Sequence, residues 1–179
     1  MLQMLPDGFE TQRLVLRPIE PGDAGAIFAG YAQDPDVVRY LSFRAHRTLA
    51  DTEAYVGRCL ATPTSAARTY VLIARAETAL IGAFDLRRRD AHRLDCGCVM
   101  AQPWWGRGLM TEALSAVAAW AMAQDAIWRL GAVCDIEHDA AARVMEKAGM
   151  RREGILRRWM MHPNISAAPR DCFSYAMTR

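Results

Sequence analysis

No apolar run in this 179-residue chain is long enough to cross a bilayer. The longest, Ala113 to Ala123, is broken by Ser115 and falls short of the roughly 20 residues a spanning helix needs. A large excess of one charge sign is also missing. A net charge of +2 gives no basic surface of the kind nucleic acid requires. Local basic runs exist at Arg87-Arg88-Arg89 with Arg93, at Arg151-Arg152 and at Arg157-Arg158. They read as solvated turns and strand edges. The first could also meet an acidic substrate or an outer phosphate of a cofactor. Linkers, repeats and low-complexity segments are absent, and 52% hydrophobic residues suffice for one good core. One domain over residues 9–179 is therefore expected.

Paired thiols are lacking as well. The five cysteines, Cys59, Cys96, Cys98, Cys134 and Cys172, are odd in number, and no secretion signal precedes them. Reduced thiols in a cytoplasm are the expectation. Cys96-x-Cys98 looks like half a metal site, but no second Cys pair or His pair completes it, so no metal is expected. Two phosphate motifs are absent. Thr111 stands where a dinucleotide fingerprint needs its third glycine, and no Gly-Lys-Ser/Thr marks a P-loop. Nicotinamide and ATP bound in those modes are excluded.

What is present is Gly106-Arg107-Gly108, between an alternating apolar segment and an alanine-rich helical one. A strand, a glycine turn and a helix start make an anion site. The first N–H groups of a helix lack partners, the helix start carries partial positive charge, and glycine allows close approach. The turn reads as a pyrophosphate seat; a ligand-free strand–helix turn is the alternative.

The rest of the chain predicts strands over 13–17, 69–74, 79–86, 94–101, 130–135, 153–161 and 171–177. Helices are predicted over 24–32, 48–60, 109–124 and 139–148. The second starts at a capping box, Thr48 with Asp51, and the fourth stops at Gly149. A proline-bounded loop spans His162 to Arg170. A meander of adjacent strands combined with crossover helices predicts an α/β fold with a mixed sheet of about seven strands and helices on both faces.

Several segments carry a resemblance. Trp104-Trp105-Gly106-Arg107-Gly108-Leu109-Met110-Thr111-Glu112-Ala113-Leu114 resembles the acetyl-CoA signature of the GNAT N-acetyltransferases. It is most like the branch of ribosomal-protein N-terminal (RimJ/RimL-type) acetyltransferases. Val144 to Met150, Thr11 to Arg17 and Asp34 to Leu41 are similar to other hallmarks of that branch, in the right order. The resemblance implies a sheet splayed between its fourth and fifth strands, with acetyl-CoA in the opening. It implies pantetheine pairing with Val99, Met100 and Ala101, and pyrophosphate on the N–H groups of Gly106, Arg107, Gly108, Leu109 and Met110, with Thr111 beside them. Trp104 and Trp105 pack the turn, Trp105 also being a candidate cofactor contact. Met110 replaces the usual small residue, its side chain being free to point into packing. His138 stands where relatives carry Asn and Ala141 where they carry Ser, so a hydroxyl acid is missing. His138 is either a substitute acid or a helix cap and cofactor support.

Acetyl transfer to an amine requires a neutral amine, a stabilised oxyanion and a departing thiolate. The backbone N–H of Val99 or Met100 suits the oxyanion. Asp95 is the first candidate base, sharing a strand face with Gly97, Val99 and Ala101, and Asp85 is the second. Ion pairing with nearby arginines is the alternative for both. Family analogy puts the acceptor among Arg39, Tyr40, Leu41 and Phe43 and the loop Pro163 to Arg170, including Asn164, with Tyr175 also near. The implied function is acetylation of a primary amine, either a protein N-terminus or a small molecule. The alternative is a degenerate acyl-CoA-binding sensor. A homodimer, built on Trp159-Met160-Met161, is a further expectation from the family.

Overall fold

The computed structural model describes residues 5–179. Eight strands form one sheet in the order β1-β2-β3-β4-β5-β6-β8-β7. They are β1 (Phe9–Glu10), β2 (Leu14–Pro18), β3 (Ala67–Ala74), β4 (Ala79–Arg88), β5 (Arg93–Met100), β6 (Arg129–Asp135), β7 (Arg151–Met160) and β8 (Arg170–Thr178). The helices are α1 (Ala24–Ile27), α2 (Pro35–Val38), α3 (Leu49–Ala61), α4 (Leu109–Met122) and α5 (Asp139–Lys147).

The mixed α/β architecture expected from the sequence is present. One strand is extra: β1, two residues long, pairs Phe9 with Leu16 at the sheet edge. Two residues carry too little periodicity to be read from sequence. The predicted 24–32 helix changes form midway, α1 continuing as a wider π-type turn over Phe28–Ala32. The four-residue α2 was not predicted. Asp34 caps it, its side chain accepting from the N–H groups of Asp36 and Val37. The capping box at Thr48 and Asp51 is formed, and Gly149, at φ +91°, ends α5 in the left-handed conformation.

Two cores flank the sheet. On one face α4 buries Leu109, Ala113 and Val117, spaced four apart, with Met110, Leu114, Ala118 and Ala121 beside them. They pack with Leu94, Cys96 and Met100 of β5 and Leu130 and Cys134 of β6. On the other face Ile27, Tyr31, Val37 and Val56 pack on Val71 and Ala83. Side chains of β5 alternate between these layers, so Asp95, Gly97 and Val99 face α1–α3.

The sheet opens at one place. β5 and β6 run parallel but pair only at Arg93–Arg129, Leu94–Leu130 and Asp95–Gly131. Beyond that point β5 keeps its ladder to β4, and β6 stays paired with β8 from Ala132–Tyr175 to Asp135–Cys172. The strands part as a V whose apex lies at Asp95–Gly131. Counted without β1, these are the fourth and fifth strands, where the family resemblance implied the splay.

Candidate active site

The open edge of β5 offers backbone groups. The Ala101 N–H bonds to the Ile81 carbonyl, so Ala101 is tied to β4. An antiparallel ladder alternates, so Val99 also faces β4, while Cys98 and Met100 turn their N–H groups toward the V. Of the three residues proposed for pantetheine, Met100 is the one aimed at the opening, and its carbonyl accepts from the Trp105 indole at 2.6 Å. Cys98, exposed on this edge, was missed. The alternation marked it as a neighbour of Met100, but without the register nothing said which set of N–H groups was free.

The glycine turn closes the end of the V. Gly106 and Gly108 both have φ +74°, and Gly108 is the N-cap of α4. Residues with a Cβ adopt that conformation at a cost of about 1–2 kcal/mol. The first intrahelical bond is Glu112 N–H to the Gly108 carbonyl. Ahead of it, the N–H groups of Leu109, Met110 and Thr111 are the orphan donors of the helix start. The Met110 side chain is buried in the core, away from the turn. Trp104 packs on the sheet and lies under the Arg107 guanidinium at 4.8 Å.

A brace beneath the turn was also missed. The Glu112 carboxylate accepts from the Thr11 hydroxyl at 2.6 Å, the Arg13 N–H at 2.9 Å and the Arg13 Nε at 2.6 Å. Arg13 in turn donates to the Arg107 carbonyl at 3.0 Å. Burial alone would push the Glu112 carboxyl up; the bonds from Thr11 and Arg13 outweigh it and hold the group below the usual range.

At the apex the two candidate bases have arginine neighbours. Asp95 accepts from Arg89 Nε at 2.5 Å through Oδ2, while Oδ1 lies over Gly131. Asp85 accepts from the Thr69 hydroxyl at 2.7 Å and sits 3.5 Å from Arg87. Both face α1–α3, the side where acceptor residues were expected.

The mouth of the V is built by two loops. Asn164 Nδ2 donates to the carbonyls of Val38 and Phe43, at 2.8 and 2.7 Å, and its Oδ1 accepts from the Ala45 N–H at 3.2 Å. Asn164 therefore fastens the β7–β8 loop to the α2–α3 loop. The Tyr40 ring stacks on His138, with centroids 4.4 Å apart and planes 16° from parallel. Arg39 lies 5.6 Å from the Tyr40 ring, and Phe43 leans on His46 and Tyr55. His138 is the N-cap residue of α5 but makes no side-chain cap bond. Burial lowers its pKa below the ordinary histidine value, so the ring is neutral at pH 7. Ala141, one turn on, packs against the core. Tyr175 is fully buried, its hydroxyl donating to Glu146 at 2.8 Å, and does not reach the cleft.

Beneath these loops Asp135, at the end of β6, has no exposed side-chain surface. Arg170 grips it with Nε at 2.5 Å and Nη2 at 3.1 Å, the Glu137 N–H adds a bond at 2.9 Å, and His162 Nε2 lies 3.6 Å away.

A splayed parallel pair ending in a glycine turn with free helix N–H groups is the arrangement the resemblance implies. A family profile described as "Acetyltransferase (GNAT) domain" matches residues 13–151. The chain belongs to the GNAT family. It is similar to the uncharacterized N-acetyltransferase YoaA of Bacillus subtilis, 28% identical over 173 residues, with 95% of this chain and 96% of that protein covered. It is also similar to a GNAT-family acetyltransferase of Bacillus anthracis, 27% identical, at TM-score 0.82 over 96% of this chain and 98% of that one. The ribosomal L7/L12 α-N-protein acetyltransferase RimL, solved with coenzyme A, shares the fold at TM-score 0.81 and 15% identity, over 98% of both chains. This GNAT protein is an acetyltransferase. Among its described residues no helix is long and apolar enough to cross a membrane.

Proposed function

We propose that this GNAT protein moves an acetyl group from acetyl-CoA to a primary amine within a ternary complex, using residues 9–179 as one catalytic domain. The observation that carries the reading is the glycine turn of Gly106 and Gly108 at the end of the opened β5 edge. The orphan N–H groups of Leu109, Met110 and Thr111, with those of Gly106 to Gly108, suit a pyrophosphate. The N–H groups of Cys98 and Met100 suit an extended amide-bearing arm laid along β5. The bound form of RimL with coenzyme A supports the same cosubstrate here. Acetyl-CoA supplies the activated thioester.

The chain's own residues supply the rest. Asp95 stands at the apex with one oxygen held by Arg89 and the other over Gly131, placed to take a proton from an amine directly or through water. As the acceptor nitrogen bonds to the acetyl carbon, the thioester C–S bond breaks and the amine proton leaves to Asp95 or solvent. Neutral His138 can donate a hydrogen bond to a departing thiolate but does not carry a spare proton at pH 7. Arg39, Tyr40 and Phe43 wall the acceptor side, and Asn164 positions that wall. Trp159 and Met161, exposed on and just after edge strand β7, are the apolar surface that supports a homodimer.

The test is incubation with acetyl-CoA and a panel of amines while thiol release is followed, alongside calorimetry of coenzyme A. Binding with release on some amine is expected. Absence of coenzyme A binding overturns the reading. Binding without release on any amine favours the second reading, an acyl-CoA sensor, for which Ala141 in place of a hydroxyl speaks.

A further inference from the structure

We propose that the acceptor is a small amine carrying its own carboxylate, such as a free α-amino acid, and that Arg87 and Arg58 bind that carboxylate. The inference rests on the acetyl-transfer reading above and names its substrate class. A cavity of about 210 Å³ lies between α3 and the β3–β4 hairpin, lined by Tyr55, Arg58, Thr69, Asp85 and Arg87 among others. Drug-sized ligands take roughly 300–1,000 Å³, so this space suits a smaller molecule.

Its charge is unbalanced. Two guanidinium groups face one carboxylate. Asp85 is engaged by the Thr69 hydroxyl, and its distance to Arg87, 3.5 Å, exceeds that of a charge-assisted bond, about 2.7–2.9 Å. Arg87 Nε is buried and has no acceptor, and Arg58 has no ion-pair partner among the described residues. A buried donor without an acceptor is costly, and a carboxylate is what an arginine fork binds best. A polyamine would meet repulsion in the same place.

The position also fits. Arg87 is the register partner of Asp95, and Asp85 that of Gly97. A Cβ at Gly97 would stand 3.1 Å from Arg87 Nη2, so the bare backbone there lets the guanidinium lie across β5, beside the apex of the V. A carboxylate held by Arg87 therefore leaves an amine on the adjacent carbon close to Asp95 and the parting strands. An α-amino acid has that spacing.

The experiment compares matched pairs, free L-amino acids against their carboxamides, at saturating acetyl-CoA. At least one acid is expected to be acetylated with kcat/KM on the order of 10–100-fold above its amide, the range a charge-assisted bond supplies. Arg87→Gln is expected to bring that ratio near unity, Arg87→Lys to keep part of it, and both to leave coenzyme A affinity unchanged. Arg58→Gln, at an exposed position where folding is not at stake, is expected to lower the ratio as well. Amides or polyamines acetylated as well as acids, or a ratio unmoved in Arg87→Gln, would overturn the inference while leaving acetyl transfer standing. If no amine turns over, the acids are titrated into the coenzyme A complex by calorimetry, and no saturable binding also overturns it. Loss of coenzyme A binding itself would instead sink the reading beneath.

Discussion

Arg13 and Glu112, 99 positions apart, meet at 2.6 Å directly beneath the glycine turn. The same guanidinium holds the Arg107 carbonyl at 3.0 Å. With that carbonyl drawn toward Arg13, the peptide units of the turn are fixed in one orientation. The segment leading into β2 thus sets the shape of the turn between β5 and α4.

Glu112→Ala should therefore weaken coenzyme A binding although Glu112 is beneath the turn. Hydrogen bonds to a charged group contribute about 1.5–3 kcal/mol each, but this site is partly solvated, so a tenfold loss is the expected order. Calorimetry should show the weaker binding, and KM for acetyl-CoA should rise more than kcat falls. An unchanged KM would show that the turn keeps its shape unaided.

Asp95→Asn should lower the rate most at low pH, where the amine most needs deprotonation, with coenzyme A affinity intact. The check is a pH–rate profile of both proteins. Identical profiles would remove Asp95 from the base role and turn attention to Asp85.

Asn164→Ala removes three hydrogen bonds that join two loops. Each contributes about 1 kcal/mol, and the β7–β8 loop should loosen from the α2–α3 loop. KM for the acceptor should rise severalfold while KM for acetyl-CoA stays put. Equal effects on both would mean that Asn164 supports the whole V.

The Asp135 carboxyl gives a pH signature. Burial pushes its pKa up, but Arg170 and the Glu137 N–H outweigh burial and hold it below the usual value. A lowered folded value means that stability is fully present above the unfolded pKa, about 3.9, and is lost as pH falls from there through the folded value. Asp135→Asn, which breaks the pair with Arg170, should cost about 3 kcal/mol at pH 7. Urea midpoints should draw together for the two proteins as the pH falls below about 3.9. A gap that stays constant would place the cost in packing instead of charge.

The local signals in the chain were legible because each depends on few neighbours. The capping box at Thr48 and Asp51, the stop at Gly149 and the glycine turn are set within one helical turn of sequence, where backbone conformation is decided by steric limits and nearby hydrogen bonds. The alternation that put Asp95, Gly97 and Val99 on one face is equally local. Short elements such as β1 and α2 lack that redundancy: two or four residues gain their structure from the partners they meet.

The sequence by itself determined the family, the order of the elements and the turn that suits an anion, since these follow from spacing along the chain. Only the tertiary structure decided that β5 and β6 part after Asp95–Gly131, that Met100 and not Val99 faces the opening, and that Arg87 lies across Gly97 at the apex. Register between strands and pairing between distant charges depend on which surfaces meet in space. No spacing within one segment carries that information.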